Sequence, residues 1–360
     1  HTPALRTLRI SYARRSRHPG RAPCRVRGRK PVLIRLGADP LASLDVEEEG
    51  LFRNGYSLAV HQPVSNVKSL IRLAPLLRLG LRPTLFCDNA VFENDPAWAS
   101  VEDMAARYPL EIGAHMHHWN TPPIVLEGTE THSVPSSSLT AAQFSAKLDH
   151  LLEAGRKRIG RRPSSFRMGR WDIRQEHWPL LAEAGIQRDA SVRPLHAPDA
   201  GHTRPDHFSA PSEPYLIPAA GRTIVELPLT VTPLLRCLPE LTQRLSPALF
   251  RRYQQWGALA LLPVYHPLWA MKAVTRLFAA RGGTTISLTW HSSEMFPGGN
   301  PLLATPQKVD ALLQKLRAYI VWLCGRYNVE FMTLGEFDNC TRHALPVLRC
   351  PSGSDWSVCR

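Results

Sequence analysis

The feature that most constrains this chain is a regular alternation of short apolar runs with amphipathic stretches. "PLASLDVE" (40–47) reads as a strand that ends in acids, and "VSNVKSLIRLAPLLRLG" (64–80) has helical spacing and a terminal glycine. The pattern then repeats: strand at 82–87, helix at 99–108, strand at 110–115, and a helix over 140–160 with Thr140 as N-cap. Strands follow at 164–169 and 186–192 around a helix at 173–185, then a strand at 223–230, two helical stretches across 240–281, a strand at 284–290, a helix at 306–327 and a strand at 329–334. Alternation of this kind, without a convincing antiparallel run, predicts an α/β fold with a parallel sheet. About seven units with no Gly-rich phosphate fingerprint favour a (β/α) barrel in a single domain over an open sheet. Residues 193–221 and the last twenty read as irregular loop or tail.

Charge divides the chain. Residues 1–30 hold nine arginines, Lys30 and no acid, which accounts for +10 of the formal +14. The segment has neither periodicity nor aromatic platforms, so it reads as a disordered arm (1–37) rather than a nucleic-acid-binding one, and no nucleic acid is expected for the barrel (38–336). Residues 337–360 are read as a C-terminal tail. The seven cysteines are scattered with no C-x-x-C pair, which disfavours a zinc ribbon and a disulfide framework; a Cys350–Cys359 bridge stays open. No stretch has the ~20 apolar residues of a membrane span, and no apolar signal core follows the basic arm, so the sequence-level expectation is a cytoplasmic protein.

In such barrels the chemistry sits where strands end. The unusual polar residues fall there: Asp45, Glu47 and Glu48; His115, His117 and His118; Arg167 and Arg170; Asp189; Glu226; His291. Residues i and i+2 of an extended segment point to one side, about 6.5–7 Å apart. His115 and His117 can therefore aim at one ion while His118 points away. Zinc accepts two histidines and a carboxylate and keeps an open position. "LDVEEEG" offers Asp45 and Glu47 on one face and Glu48 on the other.

"ASLDVEEEGLF", "EIGAHMHHWNTPP", "SFRMGRWDI", "RDASV" and "LTWHSSEMFPGGNP" occur in the order and rough spacing of the polysaccharide deacetylase (NodB-homology, carbohydrate esterase family 4) superfamily. Over roughly 38–336 the chain resembles it, with most likeness to its WalW-like branch. The resemblance implies a distorted (β/α) barrel and one divalent ion, Zn with Co, Mn or Ni as alternatives. It implies Asp45 as general base, Glu47, His115 and His117 as ligands, Arg167 as the residue that orients the base, and Asp189 holding His291 as general acid. The chain departs from the family in its histidine spacing, with Trp119 where a ligand would stand, in Glu47 for an aspartate, and in Met168-Gly169 for a proline-containing stretch. Trp119, Arg170, Trp171 and Trp290 flank the motif residues and are candidates for stacking on or binding a sugar.

The expected activity is a metal-dependent hydrolase that removes an N-acyl group, acetyl above all, from an amino sugar of a cell-surface glycan. The alternatives are a non-catalytic glycan-binding module and an amidohydrolase acting on a small non-glycan amide.

Overall fold

Strand formation follows the apolar runs. In this computed structural model, which describes residues 40–53, 63–124, 136–197 and 205–348 with Trp356 and 358–359, the strands in chain order are β1 (Leu41–Val46), β2 (Thr84–Cys87), β3 (Glu111–Met116), β4 (Ser165–Met168), β5 (Arg188–Asp189), β6 (Tyr215–Ala219), β7 (Arg222–Glu226), β8 (Val231–Pro233), β9 (Ala258–Ala260), β10 (Ser287–His291), β11 (Val347–Leu348) and β12 (Val358–Cys359). The main sheet has the order β10-β1-β2-β3-β4-β5-β7-β6-β11-β12. From β10 to β7 every pairing is parallel, which makes the seven parallel strands expected. All six residues of β1 are buried, as both faces of a parallel strand must be when helices cover one face and the opposite strands the other.

The segment after β7 brings the sheet round. Leu229 N–H donates to the Val192 carbonyl (3.0 Å) and Thr230 N–H to the Ser287 carbonyl on β10 (3.2 Å). The Ser287 N–H returns a bond to Thr230 Oγ1 (2.7 Å). The distorted barrel is thereby closed by a short irregular segment rather than by a full strand. Outside it, the helix Ala141–Ile159 begins on a capping box at Thr140 and ends on left-handed Gly160. Its apolar stripe, Phe144, Leu148, Leu151 and Leu152, enters the main core.

Three local expectations are corrected. The strand read at 329–334 is reduced to a single bridge between Met332 and Leu41. The capping box of Thr333 with Glu336 starts the helix Leu334–Thr341 in its place. The segment read as irregular over 193–221 contains β6, which turns back on β7 through Ala220 and Gly221, both at positive φ (48° and 71°). The segment after 336 is also structured: β11 pairs with β6, and Trp356 is buried against Trp178 and Tyr215. The basic arm and Cys350 lie outside the described residues. Among the described residues, no helix is long and apolar enough to cross a membrane.

Candidate active site

The register of the parallel strands sets Asp45 beside His291 on β10, and His115 of β3 beside Arg167 of β4. From β4, Arg167 crosses the barrel interior. Its Nη1 donates to Asp45 Oδ1 and to Thr289 Oγ1 (both 2.7 Å), its Nη2 to Ser43 Oγ (2.7 Å) and its Nε to the Ala190 carbonyl (2.9 Å). The guanidinium also lies over the Phe86 ring, 4.5 Å from its centroid. Burial would raise the Asp45 pKa, but the charges of Arg167, His115 and His291 outweigh it and hold the carboxyl below its ordinary value.

Glu47, His115 and His117 converge. Glu47 Oε2 lies 3.1 Å from His115 Nε2 and 3.3 Å from His117 Nε2, and all three residues are buried. His115 Nδ1 lies 3.0 Å from the Arg167 carbonyl, a group that only accepts, so Nδ1 carries a hydrogen and Nε2 is the nitrogen turned to the Glu47 carboxylate. His117 Nδ1 is held by both oxygens of Glu48 (2.9 and 2.8 Å), which leaves its Nε2 in the same position. Two imidazole nitrogens and a carboxylate oxygen meeting at this distance can share a cation, either a proton or a metal ion. Burial alone would depress His117, yet Glu48 and Glu47 push its pKa well above the usual value. Glu47 itself is held at about 2: burial opposes this, and His291, His115 and His117 overcome it. The donor set fits a borderline divalent ion of the zinc type, with outer carboxylate and carbonyl groups fixing both imidazoles.

Glu48, placed by sequence reasoning only on the far face of its strand, orients His117 from behind. It also accepts from Asn120 Nδ2 (2.8 Å) and meets Asp88. The Asp88 pKa is pushed well above its ordinary value by burial and then by Glu48. A Cβ on Gly169 would lie 2.1 Å from His117 Cδ2, so only glycine lets that ring lie over the end of β4. His118 is buried with its ring edge against Trp119 and is not part of the convergent group.

His291 completes the arrangement. Its Nδ1 lies 3.1 Å from Glu294 Oε2, and its Nε2 faces Asp45 Oδ2 at 3.6 Å and Glu47 Oε1 at 3.9 Å. Burial would lower its pKa, but Glu294, Glu47 and Asp45 raise it to about 10. The residue expected to hold His291 was Asp189. That expectation is corrected: Asp189 is fully buried, accepts from Trp178 Nε1 (2.9 Å) and Ser191, and its other buried neighbour is Glu226. Glu294 takes the role because the turn after β10 returns it to the His291 backbone, where its carboxylate accepts the N–H at 3.0 Å. The close spacing in "WHSSE" was the available signal.

A cavity of about 530 Å³ opens over these groups, lined by Asp45, Glu47, His115, His117, Arg167 and His291 together with Trp119, Arg170, Trp171, Arg193, Gln254, Tyr265 and His266. Trp119 stacks on His117 at 4.4 Å. Arg170 and Trp171 both adopt positive φ, near 60°, which turns the chain after β4 into the cavity. Trp290 is corrected as a substrate contact. With Thr289 and His291 facing inward, alternation sends Trp290 to the opposite face, where it is buried in the core.

No protein-family model matches the sequence, and no curated protein matches it. Solved structures do. A candidate glycoside hydrolase/deacetylase from Parabacteroides distasonis superposes with a TM-score of 0.55 at 13% identity, over 87% of this chain and 73% of that one. A 4-alpha-glucanotransferase from Thermococcus litoralis gives 0.50 at 12% identity, over 84% of this chain and 40% of that one. A candidate polysaccharide deacetylase from Mycobacterium smegmatis gives 0.48 at 17% identity, over 85% and 91%. These likenesses are of fold: the chain shares its α/β barrel with the candidate glycoside hydrolase/deacetylase.

Proposed function

We propose that the chain is a metal-dependent hydrolase of the polysaccharide deacetylase type, WalW-like, that removes an N-acetyl group from an amino sugar of a cell-surface glycan. The observation that carries this reading is the convergence of Glu47, His115 and His117 beside a carboxylate, Asp45, that is itself clamped by Arg167. The fold is shared with a structure described as a candidate glycoside hydrolase/deacetylase, but a glycosidase needs two carboxyl groups facing each other across a sugar, about 5–9.5 Å apart. Here Asp45 and Glu47 leave one strand end together and face imidazoles.

An amide resists hydrolysis because water is a poor nucleophile and the amine a poor leaving group. A divalent ion held by Glu47, His115 and His117 supplies acidification of water and polarisation of the acyl carbonyl. The remaining work falls to side chains. Arg167 occupies Asp45 Oδ1, so Oδ2 is the oxygen left to take the proton from the attacking water. Arg170, at the cavity wall where the backbone takes a positive φ, is the residue whose N–H we assign to the developing oxyanion. His291 is protonated, with Nδ1 anchored on Glu294, so its Nε2–H passes to the departing nitrogen. Trp119 and Trp171 offer apolar walls to a sugar ring.

The test is acetate release from N-acetylglucosamine oligomers by metal-loaded protein. Wild type releases acetate, and Asp45→Asn loses at least ~100-fold in kcat, as removal of a general base does, while still binding the ion. Wild-type protein that releases no acetate from any N-acetylated glycan contradicts the reading.

A further inference from the structure

Besides the carboxylates and imidazoles, the cavity is lined by Arg170, Arg193 and Gln254. Arg193 follows β5 and lines the cavity, partly buried. Among the described residues it makes no hydrogen bond and no ion pair. Burial holds its pKa below the ordinary arginine value, with Tyr265 as the only group that opposes this. Gln254, on the helix Pro247–Trp256, lines the same cavity, and its buried Nε2 also has no acceptor. Among the described residues, none forms an ion pair with Arg193. His266 is depressed by burial and then by Arg193 and Lys315, while Glu294 is taken up by His291 and Asn300. A partly buried guanidinium and a buried amide donor, neither with a protein partner among the described residues, thus line one cavity and are free to take acceptors from a ligand.

We propose that Arg193 and Gln254 form an anion subsite, so that an acyl substrate carrying a negatively charged group is taken in preference to its neutral counterpart. The planar fork of Arg193 matches a carboxylate with two parallel N–H···O bonds, and Gln254 adds a third donor. A phosphate or sulfate ester presents the same acceptors. This rests on the hydrolase reading for the amide, but the anion subsite itself is tested by binding alone.

The experiment is calorimetric titration of the full chain, with and without added Zn²⁺, using acetanilide, 3- and 4-acetamidobenzoate, and inorganic phosphate. The expected result is that one of the acetamidobenzoates binds about tenfold or more tighter than acetanilide, in line with one charge-assisted pair. That advantage disappears in Arg193→Gln, is partly kept in Arg193→Lys and is reduced in Gln254→Leu, while acetanilide affinity is unchanged. Arg193-dependent phosphate binding tighter than either carboxylate assigns the subsite to phosphorylated substrates. Equal affinity for the neutral and anionic amides in wild type, or an anion preference unchanged in a folded Arg193→Gln protein, overturns the subsite. An intact preference with no hydrolysis of any acyl compound overturns the hydrolase reading and leaves the subsite standing.

Discussion

At the residue scale, the candidate metal centre depends as much on what stands behind the histidines as on the histidines themselves. Gly169 is the sharpest case, since an added methyl would overlap His117 Cδ2. Gly169→Ala is expected to turn that ring out of place and to cost at least about 10–100-fold in ion affinity, the range for losing an outer support, with little change in secondary structure. Zn²⁺ titration against a competing chelator checks this, and an unchanged affinity would show that His117 is not a ligand. Glu48→Gln is expected to fall in the same range. The inner residues were legible because strand alternation alone places His115 and His117 together and sends His118 away. The supports were not: Glu48 meets His117, and Glu294 meets His291, only after each chain leaves its strand and turns back. Periodicity says nothing about such turns. Asp189 misled because it sits at a strand end like the others, yet its carboxyl is spent on Trp178 and Ser191.

At the scale of the element, β4 is the crossbar. Arg167 ties it to β1 and β10 through one guanidinium. Arg167→Met takes the guanidinium from the buried Asp45 and leaves it with His291 at 3.6 Å, and urea unfolding is expected to show a loss of about 3 kcal/mol. A second prediction concerns the segments around His177 and His207. His177 is packed flat on Phe144 with its Nδ1 accepting the Arg174 N–H, and burial, helped by Arg174, lowers its pKa to about 3. Burial lowers His207 to about 4. Both folded values lie below the unfolded value of about 6.5, so below that pH the unfolded chain binds more protons. Their contribution to stability is constant above pH 6.5 and declines as pH falls towards 4 and then 3, by on the order of a few kcal/mol together. Thermal midpoints between pH 7 and pH 4 measure the slope; a His177→Asn, His207→Asn double variant should flatten it, and an identical slope would refute the assignment. The parallel strands were readable from their apolar runs, whereas the β6–β7 hairpin was hidden by Pro218 within a strand and by a turn at Ala220-Gly221 that no simple apolar period marks.

At the scale of the molecule, two strands at opposite ends of the chain's order, β1 and β10, lie side by side, and this alone brings Asp45 and Glu47 to His291. Such long-range pairing follows from barrel closure and was inferable as a fold class, not as a set of contacts. An ion bound only by the folded state stabilises it by mass action, so chelation is expected to lower the thermal midpoint by a few degrees, and added Zn²⁺ to restore it. The most direct measurement is elemental analysis of purified wild type and of His115→Ala. One divalent ion per wild-type chain, lost in the variant, is the expected result. A wild-type protein with no ion after exposure to Zn²⁺, or a variant that keeps a full equivalent, would contradict the shared cation on which the proposed chemistry depends.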